Sequence, residues 1–105
     1  MDQYSVHWVD LNPTQGAEMQ KVRPCVVLSP TEANRHFRTV LAAPITSTDL
    51  GLPTRHKLSV GAVTGFVALD QLRALDKSRF REVVGQLSTD DSIALKKIIK
   101  EYLVD

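Results

Sequence analysis

A chain of 105 residues, 43% apolar and 24% charged, has the size and composition of one globular domain. No run approaches the roughly 18 consecutive apolar residues of a membrane helix, and the first residues lack the basic and apolar regions of a secretory signal. A single cysteine, Cys25, excludes an intramolecular disulfide and a cysteine-rich zinc site, so we expect a cytoplasmic protein without a membrane association.

The net charge of +1 conceals an uneven distribution. Residues 19–66 carry six basic and two acidic side chains, or +4, and the rest of the chain carries the compensating −3. A basic middle segment suits an anionic ligand bound by one face of the protein. Ordinary solvated charge would produce the same distribution, so this feature alone does not decide between the two interpretations.

The pattern over the first 44 residues predicts three β-strands. Apolar alternation and β-branched residues place them at residues 5–11, 23–29 and 38–44. The continuous apolar run in the second strand indicates burial on both faces, with Cys25 as a core thiol. Residues 12–16 contain the proline and glycine of a turn, and we expect the loop to continue to about Lys21. Residues 31–34 predict a short helical turn.

The second half of the chain predicts shorter strands and one helix. Strands are expected at residues 56–60, 65–69, 71–74 and 83–87, with loops or turns at 45–49, 61–64 and 77–80. The C-terminal segment predicts an amphipathic helix, with Ser88 as its N-cap and an apolar stripe that packs on the sheet. The stripe consists of Leu95, Ile98, Ile99 and Tyr102. Together these elements predict a compact, mostly antiparallel barrel with a C-terminal helix.

The sequence contains no common cofactor motif. It has no glycine-rich phosphate loop, no paired-histidine zinc spacing and no G-x-S-x-G turn, so we expect neither a metal nor a cofactor. Two histidines could act as acid and base in a ribonuclease. His7, His36 and His56 are dispersed, however, and nothing in their spacing pairs them.

Polar residues near the ends of predicted strands are better candidates for a site. Glu18, Arg23, Thr46 and Ser47 would lie at the rim of a small barrel, where they could converge. Cleavage of RNA by its own 2′-hydroxyl needs a base, which a carboxylate such as Glu18 could supply. It also needs donors for the charge on the phosphorane, and the arginine fork and the hydroxyls could provide them. From the residues alone, Arg23 could equally be a structural ion-pair residue.

Four segments of the chain resemble the MazF/PemK family of toxin endoribonucleases. The first reads WVDLNPTQGAE at residues 8–18 and KVRPCVVLS at 21–29. The others, in the family's order, are PITS at 44–47, GFVALDQLRALD at 65–76 with Arg79, and GQL at 85–87. The resemblance covers nearly the whole chain, and its first block is specific.

This resemblance implies an SH3-like barrel of the MazF/PemK/CcdB toxin type with a C-terminal helix, acting as a homodimer. It implies a toxin of a type II toxin–antitoxin system that inhibits translation and growth by cutting single-stranded RNA at short sequences, without a metal. It also implies a cognate MazE/PemI-like antitoxin whose flexible tail covers the RNA groove.

The resemblance also suggests roles for individual residues. Arg23 and Thr46 match the family's principal catalytic arginine and threonine, and Glu18 matches a loop carboxylate implicated in some members. Five residues are expected to bind RNA or to support its groove. They are Lys21, Ser47 and the D-Q-x-R residues Asp70, Gln71 and Arg73.

Departures from the family pattern narrow the expected mechanism. Ala17 and Ala68 stand where some PemK-type members have a histidine and an arginine, which favours a mechanism based on Arg23 with Thr46. Two alternatives remain: a gyrase-directed toxin of the same barrel, acting through its C-terminal helix, and a non-catalytic homologue. The presence of Glu18 together with Arg23 and Thr46 counts against the latter.

Overall fold

The computed structural model describes residues 1–11 and 21–104, which form seven β-strands and two helices. The strands are β1 (Ser5–Asp10), β2 (Val22–Val27), β3 (Thr39–Thr46), β4 (Arg55–Val60), β5 (Val63–Ala68), β6 (Arg73–Asp76) and β7 (Phe80–Gln86). The helices are α1 (Thr31–His36) and α2 (Thr89–Ile99). Short 3₁₀ turns occupy Leu69–Gln71 and Lys77–Arg79, and a π-helical turn at Lys100–Val104 follows α2.

The strands pair antiparallel in the order β4-β5-β3-β2-β1-β7 and curve into a half-barrel, with α2 at the C-terminal end. β3 is the central strand, because it pairs with β2 along one edge and with two strands along the other. Residues 39–42 pair with β6, and residues 45–46 pair with β5. The mostly antiparallel fold with a C-terminal helix is therefore confirmed.

Two apolar cores lie on opposite faces of β1 and β2. The larger contains Val6 and Val26 together with residues of β3, β4, β5 and α2, and the smaller contains Val9 and Cys25 together with Ala42 and Leu75. The predicted burial of both faces of the second strand is thus confirmed. Burial raises the pKa of the Cys25 thiol to about 12, so this side chain is an uncharged core group, as expected.

Several predicted boundaries were wrong, chiefly on the central strand. Ile45 and Thr46 were assigned to a polar loop, but they belong to β3 and lie opposite Val67 and Phe66 of β5. Ile45 is only 3% exposed, because the β5 partner completes the core around it. β5 begins at Val63 rather than residue 65, and β7 begins at Phe80 rather than residue 83. The turn between β4 and β5 is therefore only residues 61–62, where Gly61 has φ +56°.

The C-terminal helix begins as predicted. The Ser88 hydroxyl accepts a hydrogen bond from the amide of Asp91 at 3.1 Å, which satisfies one of the unpaired donors of the first turn. Leu95 is fully buried, and Ile98 and Ile99 pack against the larger core, whereas Tyr102 at the end of the stripe is 52% exposed. In the described part of the chain, neither helix has the length and apolar character needed to cross a membrane.

Candidate active site

A polar cleft of about 450 Å³ opens beside the start of β2 and the end of β3. Its lining includes four basic residues and three uncharged polar ones, namely Lys21, Arg23, Arg55, Arg73, Thr46, Thr48 and Gln71. Five residues predicted from the sequence are among them: Lys21, Arg23, Thr46, Gln71 and Arg73. Of the four residues predicted at the rim, Arg23 and Thr46 thus line a single cleft, which is built from β2, β3, β4 and the segment that leads into β6.

The register of β2 against β3 explains why Arg23 and Thr46 come together. Cys25 lies opposite Pro44 in this antiparallel pair. Arg23 and Thr46 each lie two residues beyond this pair, and side chains two residues apart on a strand project from the same face. Their side chains therefore share one wall of the cleft.

Two features of the neighbouring strands complete this wall. Gly65 of β5 allows close approach to β3, because a Cβ atom at this position would lie 2.6 Å from the carbonyl oxygen of Thr46. Arg73 lies opposite Ala42 at the start of β6, on the other edge of β3. Pro44 stands where the partner of β3 changes from β6 to β5, a position that suits a residue without an amide hydrogen.

The cleft is electropositive. None of the described residues that line it is a carboxylate. Arg23 and Arg73 are exposed, and neither forms an ion pair with a carboxylate of the described residues. A planar guanidinium without a carboxylate partner among the described residues can bind the paired oxygens of a phosphate. The cleft is thus suited to a phosphate-bearing anion, and the interpretation of Arg23 as a structural ion-pair residue gains no support.

Arg55 was not among the predicted site residues, and it forms an ion pair with Asp70. Its Nε donates to Oδ1 of Asp70 at 2.9 Å and its Nη2 donates to Oδ2 at 3.2 Å, so both carboxylate oxygens are engaged. Asp70 does not line the cleft; it borders an apolar cavity on the side of α2. The pairing of β4 with β5 sets Arg55 opposite Ala68 and so brings it close to Asp70. A prediction of this hairpin register from the sequence would have identified the pair.

The remaining predicted residues lie elsewhere. Glu18 falls outside the described residues. Ser47 follows β3, is exposed, and is not part of the lining of the cleft. Their proposed roles stay predictions.

The three histidines do not converge on the cleft. His7 is buried, with its Nε2 2.9 Å from the hydroxyl of Ser5, and burial lowers its pKa. His56 links β4 to α2 through Asp91, with 3.0 Å between Nε2 and Oδ1, and His36 is exposed on α1. Within the described ranges, no group of three histidine, cysteine or carboxylate side chains is placed to hold a metal ion. A two-histidine mechanism therefore has no geometric support.

The Arg55–Asp70 pair predicts a specific dependence of stability on pH. The pKa of Asp70 is lowered from its ordinary value of 3.8, first because Arg55 donates hydrogen bonds to the ionised carboxylate. The pair should therefore stabilise the fold above pH 3.8, and this contribution should disappear as the pH falls through the lowered pKa of the folded state. We expect the unfolding free energies of the wild type and of Asp70→Asn to differ at neutral pH and to converge in acid. A difference that is constant with pH would contradict the ion pair.

Comparisons with known proteins agree on one family. Residues 2–103 match the model of the PemK-like, MazF-like toxin of type II toxin–antitoxin systems. An endoribonuclease MazF from Staphylococcus saprophyticus is 34% identical over 92 residues, covering 79% of this chain and 74% of that protein.

Solved structures give the same result. MazF from Deinococcus radiodurans is 30% identical with a TM-score of 0.82, covering 98% of this chain and 96% of that chain. A MazE–MazF structure from the same organism gives 29% identity, a TM-score of 0.78, and coverage of 98% and 95% of the two chains.

Proposed function

The chain belongs to the PemK/MazF family of toxins of type II toxin–antitoxin systems, and from this and the cleft we propose that it cleaves single-stranded RNA, without a metal, by attack of the 2′-hydroxyl. The family resemblance read from the sequence is confirmed, and with it the assignment as a MazF-like toxin endoribonuclease. The observation that carries the finer proposal is that Arg23 and Thr46 line the same electropositive cleft.

The proposed reaction needs only groups that the chain can supply. The 2′-oxygen attacks the adjacent phosphorus while the P–O5′ bond breaks, leaving a cyclic phosphate and a 5′-hydroxyl. Arg23 stabilises the negative charge on the phosphorane oxygens, and the Thr46 hydroxyl donates a further hydrogen bond. Glu18 is proposed as the base that takes the 2′-hydroxyl proton, and the protonated base or water returns a proton to the departing oxygen. Cleavage of mRNA in the cytoplasm in this way would stop translation and growth.

RNA on either side of the scissile bond would be bound by the rest of the cleft. Arg73 and Lys21 offer positive charge to the flanking phosphates, and Gln71 offers an amide that can donate and accept hydrogen bonds. Ser47 is proposed to contact the strand where it leaves the cleft.

Salt should weaken this binding strongly. Each phosphate neutralised on a single strand lowers log K by about 0.7 for each tenfold rise in salt concentration. Arg73→Ala should therefore reduce the slope of log K against log salt by about 0.7, because it removes one phosphate contact. Fluorescence titration of an uncleavable RNA at several salt concentrations measures this slope. An affinity that does not vary with salt would contradict the proposed cleft.

An exposed apolar surface supports the proposed homodimer. A second cavity of about 410 Å³ is lined by Leu52, Pro53, Ile98 and Tyr102, together with Thr54, Asp70 and Glu101. Leu52 and Tyr102 are 45% and 52% exposed, and Leu103 and Val104 continue the apolar surface along the chain. A second copy covering this side of α2 would bury these groups and join two basic clefts into a longer groove. Sedimentation as a monomer at the concentrations that cleave RNA would contradict this assembly.

A cognate MazE/PemI-like antitoxin is the proposed protein partner. A MazF relative has been solved together with MazE. An acidic, flexible antitoxin tail would complement the basic cleft and exclude RNA from it. Hydrogen exchange on a complex that left the cleft unprotected would contradict this placement.

Cleavage of a mixed-sequence single-stranded RNA in the presence of a chelator tests the proposed activity. We expect cleavage without added metal, because the cleft supplies its own positive charge, and a small set of discrete fragments, because the proposed enzyme cuts at short sequences. Intact RNA, or cleavage only after a divalent metal is added, would contradict the proposal. Intact RNA accompanied by inhibition of a topoisomerase would point instead to the gyrase-directed alternative.

A further inference from the structure

A chain of hydrogen bonds connects Asp70 to the Thr46 hydroxyl. Beyond its two bonds to Asp70, Arg55 uses its third nitrogen, Nη1, to donate to the carbonyl oxygen of Thr48 at 3.0 Å. The amide of Thr48 donates to Oγ1 of Thr46 at 2.9 Å. Arg55 and Thr48 therefore join a carboxylate outside the cleft to the hydroxyl proposed to contact the phosphate.

The Asp70–Arg55 end of this chain is held in place by contacts at the start of β4. Arg55 begins β4, and its side chain is only 4% exposed. Asp70 accepts a further hydrogen bond from the buried Thr54 hydroxyl at 3.2 Å, and the amide of Leu69 donates to the Thr54 carbonyl at 3.1 Å. Thr48, by contrast, lies in the exposed loop after β3, where its position depends on such contacts.

We propose that Asp70 and Arg55 are positioning residues that hold the loop after β3 so that the Thr46 hydroxyl faces the scissile phosphate. This inference rests on the proposed function, because it concerns the orientation of a group in the proposed reaction. Asp70 accordingly acts through Arg55 and Thr48, and it is neither an RNA contact nor the base.

The bond from Arg55 to the Thr48 carbonyl also determines where the Thr46 proton can go. The Thr46 hydroxyl lies 3.4 Å from that carbonyl, which is longer than the roughly 2.5–3.0 Å usual for an O–H···O bond. Since Arg55 already satisfies the carbonyl, the hydroxyl can turn its proton to a phosphate oxygen without leaving an unpaired acceptor behind. The Thr48 amide meanwhile keeps the hydroxyl oxygen in place.

Asp70 is a poor candidate for the base on geometric grounds. Its Oδ1 accepts from Arg55 and Thr54, and its Oδ2 accepts from Arg55, so neither oxygen faces the cleft. The hydrogen bonds from Arg55 also lower its pKa, which weakens it further as a proton acceptor.

A double-mutant cycle on the purified protein tests this inference. We expect Asp70→Asn to lower kcat for RNA cleavage by about 10- to 100-fold, the order of loss that a small misplacement produces, with KM little changed. In a Thr46→Val background the same substitution should cause almost no further loss, because the group that it positions is already gone. Losses that multiply independently, or an unchanged kcat in Asp70→Asn, would overturn the inference.

A matched control separates positioning from a general loss of stability. Asp76→Asn removes another partly exposed, ion-paired carboxylate, which is 3.7 Å from Arg38 at the far end of β3, and should leave kcat unchanged. If Asp70→Asn fails to fold, Thr54→Val is the substitute test. It removes one hydrogen bond to Asp70 and preserves the ion pair, so we expect a smaller fall in kcat than for the loss of the carboxylate. A fall of the same size in Asp76→Asn would overturn the inference.

Hydrogen exchange provides a measurement that does not depend on activity. The Thr48 amide should exchange faster in Asp70→Asn than in the wild type, whereas amides in the β1–β2 pair should be unaffected. Unchanged exchange at Thr48 would overturn the positioning role even if the enzyme is active. A wild-type protein that cleaves no RNA would instead contradict the proposed function, whatever the exchange at Thr48.

Discussion

Arg23→Ala should lower kcat/KM for RNA cleavage by about 10³-fold, the order of loss seen when a group that stabilises transition-state charge is removed. Arg23 is exposed in the cleft and forms no ion pair with a described carboxylate, so its charge is available to the substrate. The substitution should leave the fold intact for the same reason. Initial rates on a short labelled RNA, with circular dichroism to verify folding, measure the effect.

Two further variants make this result specific to Arg23. Arg23→Lys keeps the charge but loses the planar fork, and should recover only part of the activity. Arg35→Ala removes an exposed arginine from α1, outside the cleft, and should cleave like the wild type. Undiminished cleavage by a folded Arg23→Ala protein would refute the site assignment.

Thr46→Val should lower kcat by about 10²-fold, because it replaces the hydroxyl with a methyl group of similar size and removes one donor to the developing charge. The backbone pairing of Thr46 with Phe66 does not depend on its side chain, so β3 should keep its register. Single-turnover rates at saturating RNA would isolate this effect from binding.

Thr39→Val is the matched control for this second prediction. Thr39 is an exposed threonine at the other end of the same strand, away from the cleft. The Thr39→Val protein should cleave RNA with the kcat of the wild type. Equal activity in Thr46→Val and Thr39→Val would show that the hydroxyl has no part in the reaction, and it would also remove the reason for positioning it.

Local patterns in the sequence predicted the strongest elements of this fold. Alternation predicted β1, the continuous apolar run predicted β2 with Cys25 in the core, and the Ser88 cap predicted the start of α2. The end of β3 was not predictable in this way. Ile45 and Thr46 are strand residues because β5 pairs with them, and that contact comes from distant parts of the chain.

The candidate site, like the fold, was predicted only in part from the sequence. Residue type and family resemblance predicted that Arg23 and Thr46 act together, and both line the cleft. Arg55 was not predicted, because the residues on either side of it carry no motif. Its partner Asp70 is brought close only by the β4–β5 hairpin. Asp70 was expected to bind RNA, but its oxygens are directed to Arg55 and Thr54.

The central claim is that this cleft cleaves RNA by using the 2′-hydroxyl at the scissile position, with Arg23 and Thr46 stabilising the phosphorane. The most direct test compares, in the presence of a chelator, an RNA that the protein cuts with the same oligonucleotide carrying a single 2′-deoxy residue at the cleavage site. We expect that both strands bind, that only the all-RNA strand is cut, and that its product ends in a cyclic phosphate. Cleavage of the deoxy-substituted strand at the same bond would contradict it.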